Sequence, residues 1–377
     1  MSVRSRQAQD RLAGAYPRRV PRGEREPVAE RPTLIPLEEP RSGLPRSLAP
    51  MRPRLAAEPF NSPDHLFEVK WDGVRALLAR DGDGVRLVDR HGGDLLPLVP
   101  ELRDVRVPDG VVLDGELIVC DSRGRPSYDL LAGRLGPRAT TRGRGPLFVA
   151  FDLLYEGYRA ILARPCEERR RRLLGMGLEG RGVVVPEHLE GDGEPFFDAV
   201  EDYGLEGIIA KHRRSPYFPG WRGTEWLKCH VAPRSDIVIG GLAIDDRRGA
   251  RSILCGQLGE SGLAFVGEAH VPPYLGRWLE EATTAFASDA SPFATALGMR
   301  PGLRWLRPKL VAVLEHAGIE SVQLRDARIR VLRLDGTVDD CRAEEPVLVP
   351  SAPARGPAER PRLVVLHSLP FGPIEQT

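Results

Sequence analysis

Lysine is nearly absent from this chain of 377 residues. Of 54 basic side chains only four are lysines: Lys70, Lys211, Lys228 and Lys309. Arginine carries the remaining positive charge and stays protonated, so a step that needs a neutral amine has very few candidates. Cysteine is scarce as well. Cys120, Cys166, Cys229, Cys255 and Cys341 are scattered and form no C-x-x-C pair, which argues against a zinc module and a disulfide framework. No apolar run approaches the roughly 20 residues that span a bilayer. The N-terminus has arginines but no apolar core of a signal peptide, so a cytoplasmic protein without a membrane partner is expected. Net charge is only +1, so any attraction to nucleic acid must come from local segregation of arginines.

What is present is the composition of a soluble globular protein, 41% apolar and 28% charged, long enough for two compact domains. Residues 1–50 are rich in Arg and Pro and read as a disordered arm. From about Leu55 to His230 short strands alternate with Gly, Asp and Pro. Gly84–Asp89 alternates as a half-buried strand, and Arg90–Gly93 follows as a turn. Val111–Val119 is a strand that holds Asp114 and Glu116, and Leu147–Leu154 is a central strand. Glu167–Leu174 is a helix whose Arg169–Arg172 run is expected to face solvent. A second helix, with Phe196, Phe197, Val200 and Tyr203, stops at Gly204.

Composition shifts near Pro233. Strands are expected at Ile237–Leu242, Ser252–Gln257, Leu263–Gly267 and Leu310–His316, with Arg325–Asp335 closing the unit. An amphipathic helix between the last two presents Leu275, Trp278, Leu279, Ala282 and Phe286 on one face. Strands with one inserted helix suit a small barrel of the oligonucleotide-binding type. The domains expected are 51–232, the barrel at 233–345, and a Pro- and Ala-rich tail at 346–377 containing the apolar run Leu363–Leu366.

Carboxylates and lysines recur inside apolar strands. Lys70 precedes the turn Asp72-Gly73, Asp114 and Glu116 sit in one strand, Glu206 and Lys211 flank another, and Lys228 lies in a third. Buried charges are costly unless paired or bound to ions. An amine that attacks phosphorus, carboxylates that hold a divalent metal, and cations that stabilise phosphoryl oxygens would need such a set.

These residues fall into an ordered series: Lys70-Trp71-Asp72-Gly73-Val74-Arg75, Asp114-Gly115-Glu116, Phe151-Asp152-Leu153-Leu154, Glu206-Gly207 and Trp226-Leu227-Lys228. From Arg54 to Asp335 the chain resembles the ATP-dependent DNA ligases of the covalent nucleotidyltransferase superfamily. It is most similar to the small bacterial and end-joining types. The resemblance implies an α+β fold, in which a nucleotidyltransferase (ATP-grasp-like ligase) domain of antiparallel sheets with helices precedes an OB-fold β-barrel. It implies that Lys70 takes AMP from ATP, that Lys228 contacts the α-phosphate, and that Arg75 and Arg90 bind phosphate or ribose. Phe151 would stack on adenine and Glu116 would face the ribose or support metal. Glu68, Lys211 and Arg222 would complete the nucleotide site. Glu206 would hold Mg2+ or Mn2+. The substrate implied is nicked or broken duplex DNA, in the nucleoid, with an end-binding repair protein as partner.

The chain departs from the family pattern at three positions. His230 stands where a second lysine is usual, and Gly336 ends a terminal motif that usually closes on lysine. Gly223 follows Arg222 where serine is common. The first two positions serve the phosphates of ATP, so a slow first step is expected. RNA ligases and capping-type nucleotidyltransferases share the lysine and remain open, as does a homologue that binds nicks without sealing them. A NAD-dependent ligase is disfavoured by the missing cysteine zinc site. No polymerase or nuclease domain is expected within these 377 residues.

Overall fold

The computed structural model describes residues 44–353 apart from 83, 136–144, 179, 181, 233, 299–300, 317, 321–322, 334–335 and 345. Most of the expected arm, Leu334-Asp335 of the terminal motif, and the chain beyond 353 with its apolar run lie outside the described residues. Among the described residues no helix is long and apolar enough to cross a membrane.

Two sheets form the first part of the chain. One has five strands in the order Arg52–Leu55, Arg222–His230, Gly207–His212, Ser62–Val69 and Leu189–Gly191. The other runs Gly84–Asp89, Val74–Asp81, Val111–Ile118, Leu147–Glu156 and Arg159–Ala160, with Val183–Val184 pairing parallel to Leu147–Glu156. Their facing sides share a core containing Phe67, Val69, Trp71, Val149, Phe151, Ile208 and Trp226. The other face of the second sheet buries Leu78, Leu113, Phe148 and Leu153. Strands buried on both faces read as the near-continuous apolar runs seen at Leu147–Glu156.

The second part is a barrel. Strand Arg234–Asp245 pairs with Gly249–Gly259, which pairs with Gly262–His270. Gly262–His270 meets Arg328–Arg333 in parallel. That strand pairs with Val311–Glu315, which returns to Arg234–Asp245 and closes the ring. Helix Pro273–Ala282 lies between the third and fourth barrel strands in the chain, as expected for an OB-fold. Its stripe is narrower than the sequence suggests. Leu279 is buried, but Trp278 is 50% exposed. At 3.6 residues per turn Trp278 lies about 100° around the axis from Leu279, at the margin of the face. Phe286 falls in the separate turn Thr284–Phe286.

Two expectations are corrected. The Arg169–Arg172 run does not simply face solvent, because Arg169 and Arg170 are fully buried. Arg169 donates to both oxygens of Asp152 (2.8 and 2.9 Å), and also to the carbonyls of Arg164 and Ser215. Residues 346–353 are no free tail. The Val347 N–H donates to the Leu55 carbonyl and the Ala57 N–H to the Val347 carbonyl, each at 2.8 Å.

Candidate active site

Strand register assembles the site. Ser62–Val69 pairs with Gly207–His212 so that Val69 opposes Ile208, which sets Lys70, one residue past its strand, beside Glu206, one residue before the other. The Lys70 N–H donates to the Gly207 carbonyl at 2.8 Å. Gly207 also opposes His230, while Ile209 opposes Lys228. Side chains two apart on a strand share a face, so Trp226, Lys228 and His230 line one side. Two motif glycines permit the close approach. A Cβ at Gly207 would stand 2.0 Å from the Cys229 carbonyl oxygen, and one at Gly73 would stand 2.3 Å from that of Leu117.

At the centre Lys70 Nζ donates to Glu206 Oε1 at 2.5 Å. Arg234 Nη1 lies 3.2 Å and His230 Nδ1 3.6 Å from the same oxygen. Burial pushes the Glu206 carboxyl up, but Lys70 first, with His230 and Arg234 behind it, outweighs burial and holds it at about 2. It is therefore ionised at every pH of interest. Next to it Asp72 is raised above the usual carboxylate range, by burial first and then by Glu206.

His230 is not a partly charged phosphate ligand in this setting. Burial, and then the Lys70 charge, hold its pKa well below the ordinary value, so it is neutral at pH 7. Its Nδ1 is buried with no hydrogen-bond partner. Lys228 is lowered to about 8, mainly by burial. Its Nζ lies 3.6 Å from Glu344 Oε2. Loss of the Lys228 proton above pH 8 should weaken binding of a phosphate anion. The KM for ATP is expected to rise by up to about tenfold per pH unit there, since one proton is involved. Lys228→Arg, which keeps its charge, should flatten that rise, as KM measured from pH 7 to 9.5 would reveal.

The other expected residues are placed as follows. Lys211 is buried, 2.7 Å from Glu68 Oε2, and donates to the Phe151 carbonyl at 2.9 Å. Its Nζ sits 4.6 Å from the ring centres of both Phe151 and Trp226. Arg75 is committed to Asp114, donating from Nε and Nη2 at 2.6 Å each, with its guanidinium 4.6 Å from the Phe151 ring centre. Burial opposes its charge, yet Asp114 outweighs burial and raises its pKa. Arg75 thus braces the pocket wall. Phe151 is buried and already faces two cations.

Glu116 opposes Arg75 across the strands. Among the described residues no three or more His, Cys, Asp or Glu side chains are grouped to hold a metal ion. Arg90 donates to Asp340 Oδ2 at 2.8 Å, reaching the turn that follows the barrel. Arg222 forms an ion pair with Glu344. Sequence reasoning missed Arg234, Asp340 and Glu344. Nothing local distinguishes one arginine or carboxylate from the many others.

Residues 51–230 match the family described as the ATP dependent DNA ligase domain. The multifunctional non-homologous end joining DNA repair protein LigD of Mycobacterium tuberculosis is 36% identical over 286 residues, which cover 71% of this chain. The chain spans only 36% of the length of that relative. The SPbeta prophage-derived DNA ligase-like protein LigB of Bacillus subtilis is 32% identical over 199 residues, 53% of this chain and 73% of that protein. Among solved structures, mycobacterial DNA ligase D complexed with ATP and MES is similar with a TM-score of 0.56 at 34% identity. That similarity covers 79% of this chain and 98% of that one.

Proposed function

From the premise that the chain belongs to the ATP-dependent DNA ligases, we propose that it seals nicks or breaks in duplex DNA through an AMP adduct on Lys70. The observation that carries this reading is the register that sets three of the four lysines, Lys70, Lys211 and Lys228, on or at the end of three neighbouring strands of one sheet, with Lys70 Nζ 2.5 Å from an ionised Glu206.

The Lys70 amine, once deprotonated, attacks the α-phosphorus of ATP. A nitrogen–phosphorus bond forms as the bond to pyrophosphate breaks. Glu206 orients the amine; a carboxylate held at about 2 is too weak a base to serve mainly as proton acceptor. Lys228 stabilises charge on the phosphoryl oxygens. Lys211, Glu68 and Phe151 surround the base. Arg75 holds that wall in place. AMP then passes to the 5′-phosphate at the nick, and the 3′-hydroxyl displaces it to close the backbone.

A divalent cation, Mg2+ or Mn2+, would be held by Glu206 with support from Glu116 and would neutralise phosphoryl charge. An ionised carboxylate beside substrate phosphates fits the way Mg2+ is usually bound, with few protein ligands. Both cations that touch Glu206, Lys70 and Arg234, meet it at Oε1, as does the ring nitrogen of the neutral His230. Among the described residues that leaves Oε2 for the ion. The names of the LigD relatives support end-joining repair as the setting; a DNA-end-binding protein as partner and the nucleoid as location belong to the same proposal.

The test is sealing of a nick whose 5′-phosphate carries the label. With ATP and a divalent ion, a DNA nick should become a continuous strand. An all-RNA nick should be sealed at least about tenfold more slowly, a gap of about 1.4 kcal/mol in the barrier. Preference for the RNA nick would move the chain to the RNA-joining branch.

A further inference from the structure

His230 stands where a second lysine is usual, two residues beyond Lys228 on the same strand face. An imidazole is not a permanent cation. The barrel places one beside it. The Val231 N–H donates to the Glu206 carbonyl at 3.1 Å, and the first barrel strand begins three residues later at Arg234. The guanidinium of Arg234 turns back onto the site. Its Nη1 lies 3.2 Å from Glu206 Oε1, where His230 Nδ1 lies at 3.6 Å. Two side chains four residues apart thus reach one oxygen, which also accepts from Lys70 Nζ at 2.5 Å.

The barrel's own acids do not claim Arg234. Across the ladder it opposes Glu315, but Glu315 pairs with Arg328 of the next strand at 3.2 Å. The Arg234 side chain is largely buried, and its Nε has no hydrogen-bond partner, so one donor of the fork is unspent. Its charge also acts on Asp72, which burial and then Glu206 raise against the pull of Lys70, Arg234 and Arg330. A lysine at 230 together with Arg234 and Lys70 would set three cations against one carboxylate oxygen. Their mutual repulsion grows as the site is buried. A single permanent cation, at 230 or at 234, meets the need.

We propose that Arg234 is a catalytic residue of self-adenylation, the permanent cation that this chain carries on its barrel in place of a lysine at position 230. The proposal rests on the ligase reading. Lys70 Nζ, its proton already lost to water, bonds to the α-phosphorus. The bond to the bridging oxygen breaks, and its electron pair leaves on pyrophosphate. Negative charge grows on the phosphoryl oxygens in that exchange, and the Arg234 guanidinium contacts and offsets it with no proton to be gained or lost. The first step is then not slowed by the histidine at 230.

Arg234→Gln removes the charge and keeps a polar side chain. The kcat of labelling by α-labelled ATP should fall about 10²-fold, while the KM for ATP changes far less, because the charge acts mainly in the transition state. Adding His230→Lys to that variant should restore the rate to within about tenfold of the parent. In the parent itself His230→Lys should gain almost nothing. This rescue separates catalysis from structure, since a lysine at 230 cannot repair a poorly seated barrel. Thermal unfolding shows which variants fold. In folded proteins, labelling of Arg234→Gln at the parental rate, or a double variant no faster than Arg234→Gln, would overturn the proposal. If Arg234→Gln does not fold, His230→Lys alone decides. A gain of about tenfold or more would show that the site lacks a cation and overturn the assignment, and an unchanged rate would support it. A parent protein that is never labelled would end the ligase reading and this assignment with it, whereas labelling without rescue would end the assignment alone.

Discussion

Lys70→Arg is expected to reduce labelling of the protein by α-labelled ATP at least about 10³-fold, because guanidinium keeps its charge but cannot supply a neutral nucleophile. The variant should still fold, since Lys70 lies just beyond its strand and is half-buried against Glu206. Arginine can keep that ion pair. Sealing from ATP should vanish with the label, whereas a nick that already carries AMP should still be joined, since only the first step needs the amine. Neither Lys211 nor Lys228 can substitute. Lys211 is buried against Glu68 and the Phe151 carbonyl, and Lys228 Nζ lies beside Glu344 at 3.6 Å. Persistent labelling in Lys70→Arg would place the nucleophile elsewhere.

The largest stability effect is expected at Arg169→Ala. Arg169 is inaccessible to solvent and forms a two-point ion pair with the equally buried Asp152. Removing the guanidinium strands a buried carboxylate, which typically costs about 3–5 kcal/mol. Urea denaturation should show a midpoint shift of that size with the slope unchanged. The Asp152 pKa reflects burial, which raises it, and Arg169, which outweighs burial and brings the net value below the usual range. A depressed carboxylate contributes stability above its unfolded pKa and loses it as pH falls through the folded one. The gap between parent and variant should therefore narrow in acid. The pair Arg169→Met with Asp152→Asn should recover much of the loss, because no uncompensated charge remains. A loss below about 1 kcal/mol in Arg169→Ala would mean that water or another group satisfies Asp152.

The features legible in the sequence were those that repeat locally. Apolar alternation and unbroken apolar runs located the strands around Lys70, Asp114, Phe151, Glu206 and Lys228, and the rarity of lysine singled out three residues that lie on or beside neighbouring strands of one sheet. Partnership between distant charges was not legible. Arg169 and Arg170 look like a solvated helix face until the fold sets Asp152 and Glu68 beneath them; Arg170 Nε is 3.5 Å from Glu68 Oε1. Arg75 has the motif position of a ligand contact, yet Asp114, 39 residues away in sequence, holds its guanidinium. His230 has the spacing of a phosphate ligand, but burial keeps it neutral. The returning strap was hidden for the same reason, because the Pro- and Ala-rich composition after residue 345 carries no periodic pattern. Its attachment depends on main-chain hydrogen bonds to Leu55, Ala57 and Asn61.

The most direct test of the central claim is a pulse and chase on the intact protein. After exposure to α-labelled ATP and a divalent ion, excess ATP is removed and peptide mass spectrometry locates the adenylyl group. Unlabelled nicked duplex is then added. The label is expected on the peptide containing Lys70, and on addition of the nick it should leave the protein, pass through the 5′-phosphate and end as free AMP beside a joined strand. Label on any other residue, or label on Lys70 that the nick never discharges, would contradict the account.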